Sequence, residues 1–211
     1  MDLFAPAGQP HNLLHRDGSV HYYGPVMDMM AANHYFEQLF NSIDWQHDQA
    51  LINGQVVETA RKIAWYGSQP YHYTYSGITK VALPWNSLLL ELKSLVERES
   101  GETYNACLIN LYHNGSEGMA WHSDAEKDLK KNGAIASLTL GGERKFSFKH
   151  KVSQENISLY LQNGSLLVMK GTTQSHWLHR LPPTQEPVAA RINLTFRTID
   201  HQFASNHQWR Q

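Results

Sequence analysis

From Met27 to Ile43 the apolar side chains Ala32, Tyr35, Phe36, Leu39, Phe40 and Ile43 recur three and four residues apart, the spacing of one helix face. A second stretch of this kind runs from about Trp85 to Ser100. Its buried stripe is Trp85, Leu88, Leu89, Leu92, Leu95 and Val96, and Gly101 stands where a helix C-cap would. Between the two, the short segments Gln55–Val57, Lys62–Trp65 and His72–Tyr75 alternate with the turn signals Asn53-Gly54 and Ser76-Gly77. After Gly101 the period becomes that of strands. Candidates are Tyr104–Tyr112, Met119–Ser123, Ala134–Leu140, Lys145–Lys149, Ile157–Leu161, Ser165–Lys170, His176–Leu181 and Ala190–Thr198. Short strands separated by Gly, Pro and Asn predict a closed or double-sheet β fold, so the class is α+β. Residues 1–25 are rich in Pro, Gly and His and are expected to be irregular. No repeat or linker divides the 211 residues, which reads as one domain.

Composition narrows the function. Hydrophobic residues make up 41% and charged residues 18%, a globular balance. The single cysteine, Cys107, excludes a disulfide framework and a Cys-based zinc site and fits a reducing, intracellular compartment. No apolar run approaches the roughly 20 residues that span a bilayer, and Met1-Asp-Leu-Phe-Ala-Pro is not a secretory signal. The net charge of −1 does not announce a nucleic-acid binder. Basic residues cluster only locally, at Arg61-Lys62, Lys127 with Lys130-Lys131, Arg144-Lys145 and Lys149-His150-Lys151.

The chemistry centres on Gly118-Met-Ala-Trp-His-Ser-Asp124. On an extended segment residues two apart share a face, so the His122 imidazole and the Asp124 carboxylate converge. With a distant histidine they would complete the two-His, one-carboxylate set of non-haem Fe(II) oxygenases. A similar pair, His15-Arg-Asp17, lies in a polar stretch before Gly18-Ser19 and reads as a surface loop. The third ligand is sought in Ser175-His-Trp-Leu-His-Arg-Leu-Pro182, where His176 and His179 are three apart and in a strand face opposite ways. Spacing alone does not choose between them. In Arg191-Ile-Asn-Leu-Thr-Phe-Arg197 one face carries Arg191, Asn193, Thr195 and Arg197, and the other Ile192, Leu194 and Phe196. The polar face is either solvated or built for a dianion, since arginine holds carboxylates bidentately. Asn110 and Tyr112 could complete such a site if their strand is a neighbour.

Taken together, and in order, these pieces resemble the AlkB family of Fe(II)/2-oxoglutarate-dependent nucleic-acid dealkylases from about Arg61 to Ile199. The matching pieces are Arg61-Lys62 with Tyr66-Gly67, Tyr73-Thr-Tyr-Ser-Gly77, Asn110-Leu-Tyr112, His122-Ser-Asp124 with Glu126, Ile135-Ala-Ser, Gly164-Ser-Leu-Leu, His176-Trp-Leu-His179 and Arg191-Ile-Asn-Leu-Thr-Phe-Arg197. The resemblance implies a double-stranded β-helix (jelly roll) over about residues 101–200. About residues 1–100 would supply supporting helices and a nucleotide-recognition lid. It selects His179, so that His122, Asp124 and His179 would bind Fe(II). Arg191 with Asn110 and Tyr112 would hold the distal carboxylate of 2-oxoglutarate, with Asn193 and Arg197 at its metal-bound end. Arg61, Trp65, Tyr73, Tyr75, Ser76 and Glu126 would face the target nucleotide. Ala125 departs from the pattern, because some relatives carry a charged residue there.

The implied activity is oxidative dealkylation of N-alkylated DNA bases such as 1-methyladenine and 3-methylcytosine, with Fe(II) as cofactor, 2-oxoglutarate and O2 as cosubstrates, and formaldehyde released. The expected partner is alkylated DNA, with RNA an alternative, and the chain is expected to act as a monomer away from membranes. RNA demethylation or protein hydroxylation on the same scaffold, or a non-catalytic nucleic-acid module, remain as alternatives. Relatives that act on duplexes carry an aromatic wedge on a hairpin before the Arg-Lys segment. Here that stretch is Leu51-Ile-Asn-Gly54, with Asn53 at the wedge position and no ring, which implies a preference for single strands.

Overall fold

In the computed structural model, which describes residues 10–200 apart from 53–54 and 76–77, fourteen strands and three helices follow one another. The first half contains β1 (Ser19–Pro25), α1 (Met29–Ser42), β2 (Gln46–Ile52), β3 (Gln55–Gly67), β4 (His72–Tyr75), β5 (Ile78–Val81), β6 (Leu83–Pro84) and α2 (Ser87–Ser100). The second contains β7 (Ala106–Tyr112), β8 (Met119–His122), β9 (Ile135–Gly141), β10 (Arg144–His150), β11 (Asn156–Leu161), β12 (Ser165–Lys170), α3 (Thr173–His176), β13 (Trp177–Leu181) and β14 (Arg191–Arg197).

Both long helices start two residues after the predicted point because a polar residue caps each. Asp28 accepts from the Ala31 N–H and Asn86 from the Leu89 N–H, both at 2.8 Å. Gly101, at φ +69°, closes α2 in the left-handed region, as expected of a C-cap. Most of the predicted stripes face inward: Ala32 and Leu39 of α1, and Leu89, Leu92 and Val96 of α2, are buried, but Phe40 of the α1 stripe is exposed and stacks on Phe36.

The larger sheet has the order β1-β12-β9-β14-β7-β3-β2, with β6 beside β3; the smaller has the order β11-β10-β13-β8. The predicted double-sheet β fold is therefore present, but the larger sheet also recruits strands from the first hundred residues. The segment before residue 25 is not wholly irregular. Its Ser19–Pro25 strand pairs antiparallel with β12, and a shift between Tyr22 and Gly24 accommodates Gly24 at φ +69°. Gln55–Val57 and Lys62–Trp65 are not separate segments either. No turn residue lies between them, and β3 runs through, pairing with β2 at one end and with β7 at the other. The turns Asn53-Gly54 and Ser76-Gly77 lie outside the described residues. Their flanks are nonetheless direct partners, Ile52 with Gln55 and Tyr75 with Ile78.

Alternation decides where the core sits. On β14, Ile192, Leu194 and Phe196 point to the helices and join one apolar cluster with Leu39, Leu92, Ile109 and Leu138. A second cluster, including Phe148, Leu167 and Trp177, fills one end of the space between the sheets. The other end is lined by polar side chains and stays open as a cavity of about 300 Å³. No helix among the described residues is long and apolar enough to cross a membrane.

Candidate functional site

The cavity has a metal-ligating corner. β8 pairs with β13, and His122 lies directly across from His179, with ring centroids 4.2 Å apart. Gly118 allows this approach: a Cβ there would sit 2.5 Å from the Leu181 carbonyl oxygen. Asp124 follows the end of β8 rather than lying on it, yet it still converges. Its Oδ1 is 3.8 Å from His122 Nε2 and 4.0 Å from His179 Nε2. His122 Nδ1 faces the Ala120 carbonyl oxygen at 2.8 Å and so carries the proton, leaving the Nε2 lone pair for a metal.

Electrostatics favour the ligating protonation states. Burial pushes the His179 imidazole down to about 3; His122, Arg197 and Lys151 act the same way, against Asp124. Burial would raise Asp124, but Arg197, His179 and His122 hold its carboxyl below the usual range. A neutral His179, an ionised Asp124 and the outward lone pair of His122 Nε2 form a donor set that suits Fe(II) with open positions.

Among the described residues, a second cluster, Asp17, His150 and His176, has ligand spacing. His150 Nδ1 accepts from the Ser153 N–H at 3.0 Å, so its proton is on Nε2, which faces Asp17 at 3.3 Å. That ring has no free lone pair to offer, and the group is a clip holding the exposed His15–Asp17 bend rather than a metal site. His176 groups with Asp17 and His150, whereas His179 lines the cavity with His122 and Asp124.

The opposite wall is anionophilic. β14 lies between β7 and β9, with Arg191 opposite Tyr112 and Gly141, and Asn193 opposite Asn110 and Thr139. The neighbour relation between the Arg191 face and the Asn110–Tyr112 face is therefore present. Arg191 Nη2 donates to Thr139 Oγ1 at 2.9 Å and to Asn193 Oδ1 at 2.8 Å, and Asn193 Nδ2 donates to Thr195 Oγ1 at 2.9 Å. The Arg191 side chain is buried, yet among the described residues no carboxylate pairs with it and nothing accepts from its Nε. Burial lowers the guanidinium to about 10, with Tyr112 opposing and Arg144 assisting. A buried cation without an anion is costly, and an incoming carboxylate would relieve it. Arg197 bridges to the metal corner: Nη2 is 3.6 Å from Asp124 Oδ2 and Nη1 3.4 Å from Glu126 Oε1.

The remaining predicted residues divide. Arg61 and Glu126 line the cavity. Tyr73 and Tyr75 lie on β4, and Ser76 is outside the described residues. Trp65 does not reach the cavity. It is 3% exposed, packs with Tyr71, Ala82 and Ala106, and donates its Nε1–H to the Tyr71 carbonyl at 3.2 Å. Apolar burial of a large ring outweighed a solvent-facing role. Two polar cavity residues were given no role by the sequence reading: Ser137, signalled by polar alternation within Ile135–Leu140, and Asp48, which gave no signal. Thr139, on the same alternation, lies behind the wall and accepts from Arg191.

Comparison with known proteins agrees with this geometry. The family model of the 2OG-Fe(II) oxygenase superfamily matches residues 19–197, and the chain belongs to that superfamily. Within it the chain is an AlkB homologue: it is 34% identical to the DNA oxidative demethylase ALKBH2 of Homo sapiens over 84% of its own length and 72% of that protein's. It is also 37% identical to the alpha-ketoglutarate-dependent dioxygenase alkB homolog 3 of Bos taurus over 82% of its length. It spans only 63% of that relative. The solved structure of OsALKBH1 superposes with a TM-score of 0.60 at 13% identity, covering 90% of this chain and 100% of that one, which shows the shared fold. The superfamily takes Fe(II), 2-oxoglutarate and O2, and the His122–Asp124–His179 donor set fits the metal.

Proposed function

We propose that this chain is an Fe(II)- and 2-oxoglutarate-dependent dioxygenase that removes N-alkyl groups from DNA bases, preferring single strands. The observation that carries the reading is Arg191. It is a buried guanidinium lacking a carboxylate partner among the described residues, in the same cavity as His122, Asp124 and His179. A dicarboxylate that must reach a metal with one end needs such an anchor for the other.

In this reading His122, Asp124 and His179 hold the iron. Arg191, Asn110 and Tyr112 take the distal carboxylate, and Asn193 and Arg197 border the metal-bound end. Bound there, iron would supply the oxidising chemistry with 2-oxoglutarate and O2, and an N-methyl group would leave as formaldehyde. The protein's own work is placement. Glu126, held by Arg197, faces the base side, and Arg61 with the β4 tyrosines Tyr73 and Tyr75 and with Ser76 receives a nucleotide that has left the stack. The local lysine clusters serve phosphate contact despite the net charge of −1. The chain acts as a monomer in a reducing compartment, where the buried thiol of Cys107 stays free.

The test is formaldehyde release from matched oligonucleotides carrying one 3-methylcytosine, as single-stranded DNA, duplex DNA and RNA at fixed salt. Release that requires Fe(II) and 2-oxoglutarate and is fastest on single-stranded DNA is expected. Faster release from RNA would make the chain an RNA demethylase, and no release from any of them would refute the dealkylase reading.

A further inference from the structure

Asp48, which no sequence motif singled out, is the meeting point of three elements. It lies on β2 with its side chain 7% exposed, and two cations converge on it. Arg61 of β3 donates through Nη2 to Oδ2, and Lys80 of β5 donates through Nζ to Oδ1 at 3.1 Å. Arg61 is buried as well. Burial would lower its guanidinium, but Tyr112 on β7 and Asp48 hold it above the ordinary value, and its Nη1 lies 2.7 Å from the Met119 sulfur on β8. Asp48, Arg61, Tyr112 and Met119 all line the metal-bearing cavity.

The β4–β5 ribbon is tied to this node through Lys80. Among the described residues it pairs with neither larger sheet. Its root is closed by the Ala82 N–H to Tyr71 carbonyl bond at 2.8 Å and by the Trp65 indole on that same carbonyl. Further along, Lys80 stands opposite Tyr73 in the ribbon, so the Asp48 tie acts at the rung of a predicted nucleotide-facing tyrosine. One carboxylate against two cations also makes the node asymmetric. Removing Lys80 leaves a matched Asp48–Arg61 pair, whereas removing the Asp48 charge leaves both cations uncompensated.

We propose that Asp48 is a positioning residue. Through Lys80 it sets the β4–β5 ribbon beside the cavity, and through Arg61 it sets the Tyr112 side of the cosubstrate wall. Nucleotide placement and cosubstrate placement are thus tied to one carboxylate. The proposal rests on the function proposed above.

The test compares the full chain with Lys80→Met and Asp48→Asn in three measurements: steady-state kinetics on a single-stranded 3-methylcytosine oligonucleotide, anaerobic calorimetric titration of the Fe(II)-loaded protein with 2-oxoglutarate, and amide hydrogen exchange of β4 and β5. Lys80→Met is expected to raise the oligonucleotide KM about tenfold and speed exchange in the ribbon, leaving kcat and 2-oxoglutarate affinity unchanged. Tenfold corresponds to the loss of one charge-assisted bond. Asp48→Asn is expected to weaken 2-oxoglutarate binding about tenfold as well. Wild-type exchange and KM in Lys80→Met, or unchanged 2-oxoglutarate affinity in a folded Asp48→Asn, would overturn the proposal. If Asp48→Asn does not fold, Lys80→Met decides, since its side chain is 24% exposed and its loss leaves a paired interior. Exchange and titration need no turnover. A wild type that releases no formaldehyde would therefore sink the dealkylase reading while these two measurements still judge Asp48.

Discussion

His122 and His179 are cross-strand partners in the smaller sheet, and their rings meet at 61° with centroids 4.2 Å apart. Two of the three proposed ligands are thereby fixed by one backbone ladder, and only Asp124 depends on the chain beyond a strand end. His122→Ala and Asp124→Ala are each expected to abolish turnover and weaken Fe(II) binding while the far-UV spectrum stays native, because neither side chain belongs to the apolar clusters. His15→Ala, on the exposed bend, is the control and should behave as wild type. Normal activity of His122→Ala with added Fe(II) would remove this corner from the site.

Arg191→Met is expected to raise the 2-oxoglutarate requirement at least tenfold and spare iron binding, since a hydrogen bond to a charged group contributes about 1.5–3 kcal/mol. The same change removes a buried charge that no carboxylate neutralises among the described residues. The ligand-free protein should therefore not lose thermal stability. A fall in melting temperature without a change in cosubstrate dependence would make Arg191 structural.

For the metal-free protein, His179 sets the acid side of stability. Its ordinary value is 6.5 and its folded value about 3, so between the two the unfolded chain binds a proton that the folded chain refuses. The stability it contributes is complete above about pH 6.5 and is lost as pH falls toward about 3. Asp124, also lowered in the folded state, adds a loss below its ordinary 3.8. Urea midpoints from about pH 7.5 down to about pH 4.5 should fall, and His179→Asn should flatten the curve. An equal slope in the variant would contradict a neutral, buried His179.

The β2–β3 hairpin turns between the partners Ile52 and Gln55, and its two connecting residues offer no aromatic ring. A ring at such a tip would replace stacking worth about 1–3 kcal/mol per base when a nucleotide leaves a duplex. The wild type is expected to show a higher kcat/KM on a single-stranded lesion than on its duplex, and Asn53→Phe to narrow the gap. Equal or better duplex repair by the wild type would point to another loop as the wedge.

The parts legible in the sequence were those encoded locally. The period of Arg191–Arg197 announced one polar and one apolar face, and both faces are where alternation puts them. Pairing is not local, so nothing in the residues themselves placed Asn110 and Tyr112 beside Arg191; the β7–β14 register did. His179 was preferred over His176 only through the family resemblance, because the distinction lies in tertiary placement: His176 groups with Asp17 and His150, and His179 lines the cavity. β1 was missed because its stability comes from β12 rather than from its own composition. Trp65 was misplaced because an aromatic residue near a site reads alike whether it lines the cavity or fills the core beneath it.

The two faces of β14 also separate two kinds of heritable change. Odd-numbered positions from Arg191 to Arg197 answer to what enters the cavity, and even-numbered positions answer to the helices behind it. Variation at Asn193 or Thr195 disturbs a buried network, since Asn193 accepts from Arg191 and Ser137 and donates to Thr195, so it is felt by the cavity and by folding together, while Ile192, Leu194 and Phe196 can drift among similar volumes at small cost. Parity along a single seven-residue strand thus separates a polar half that answers to the cavity from an apolar half that answers to the scaffold.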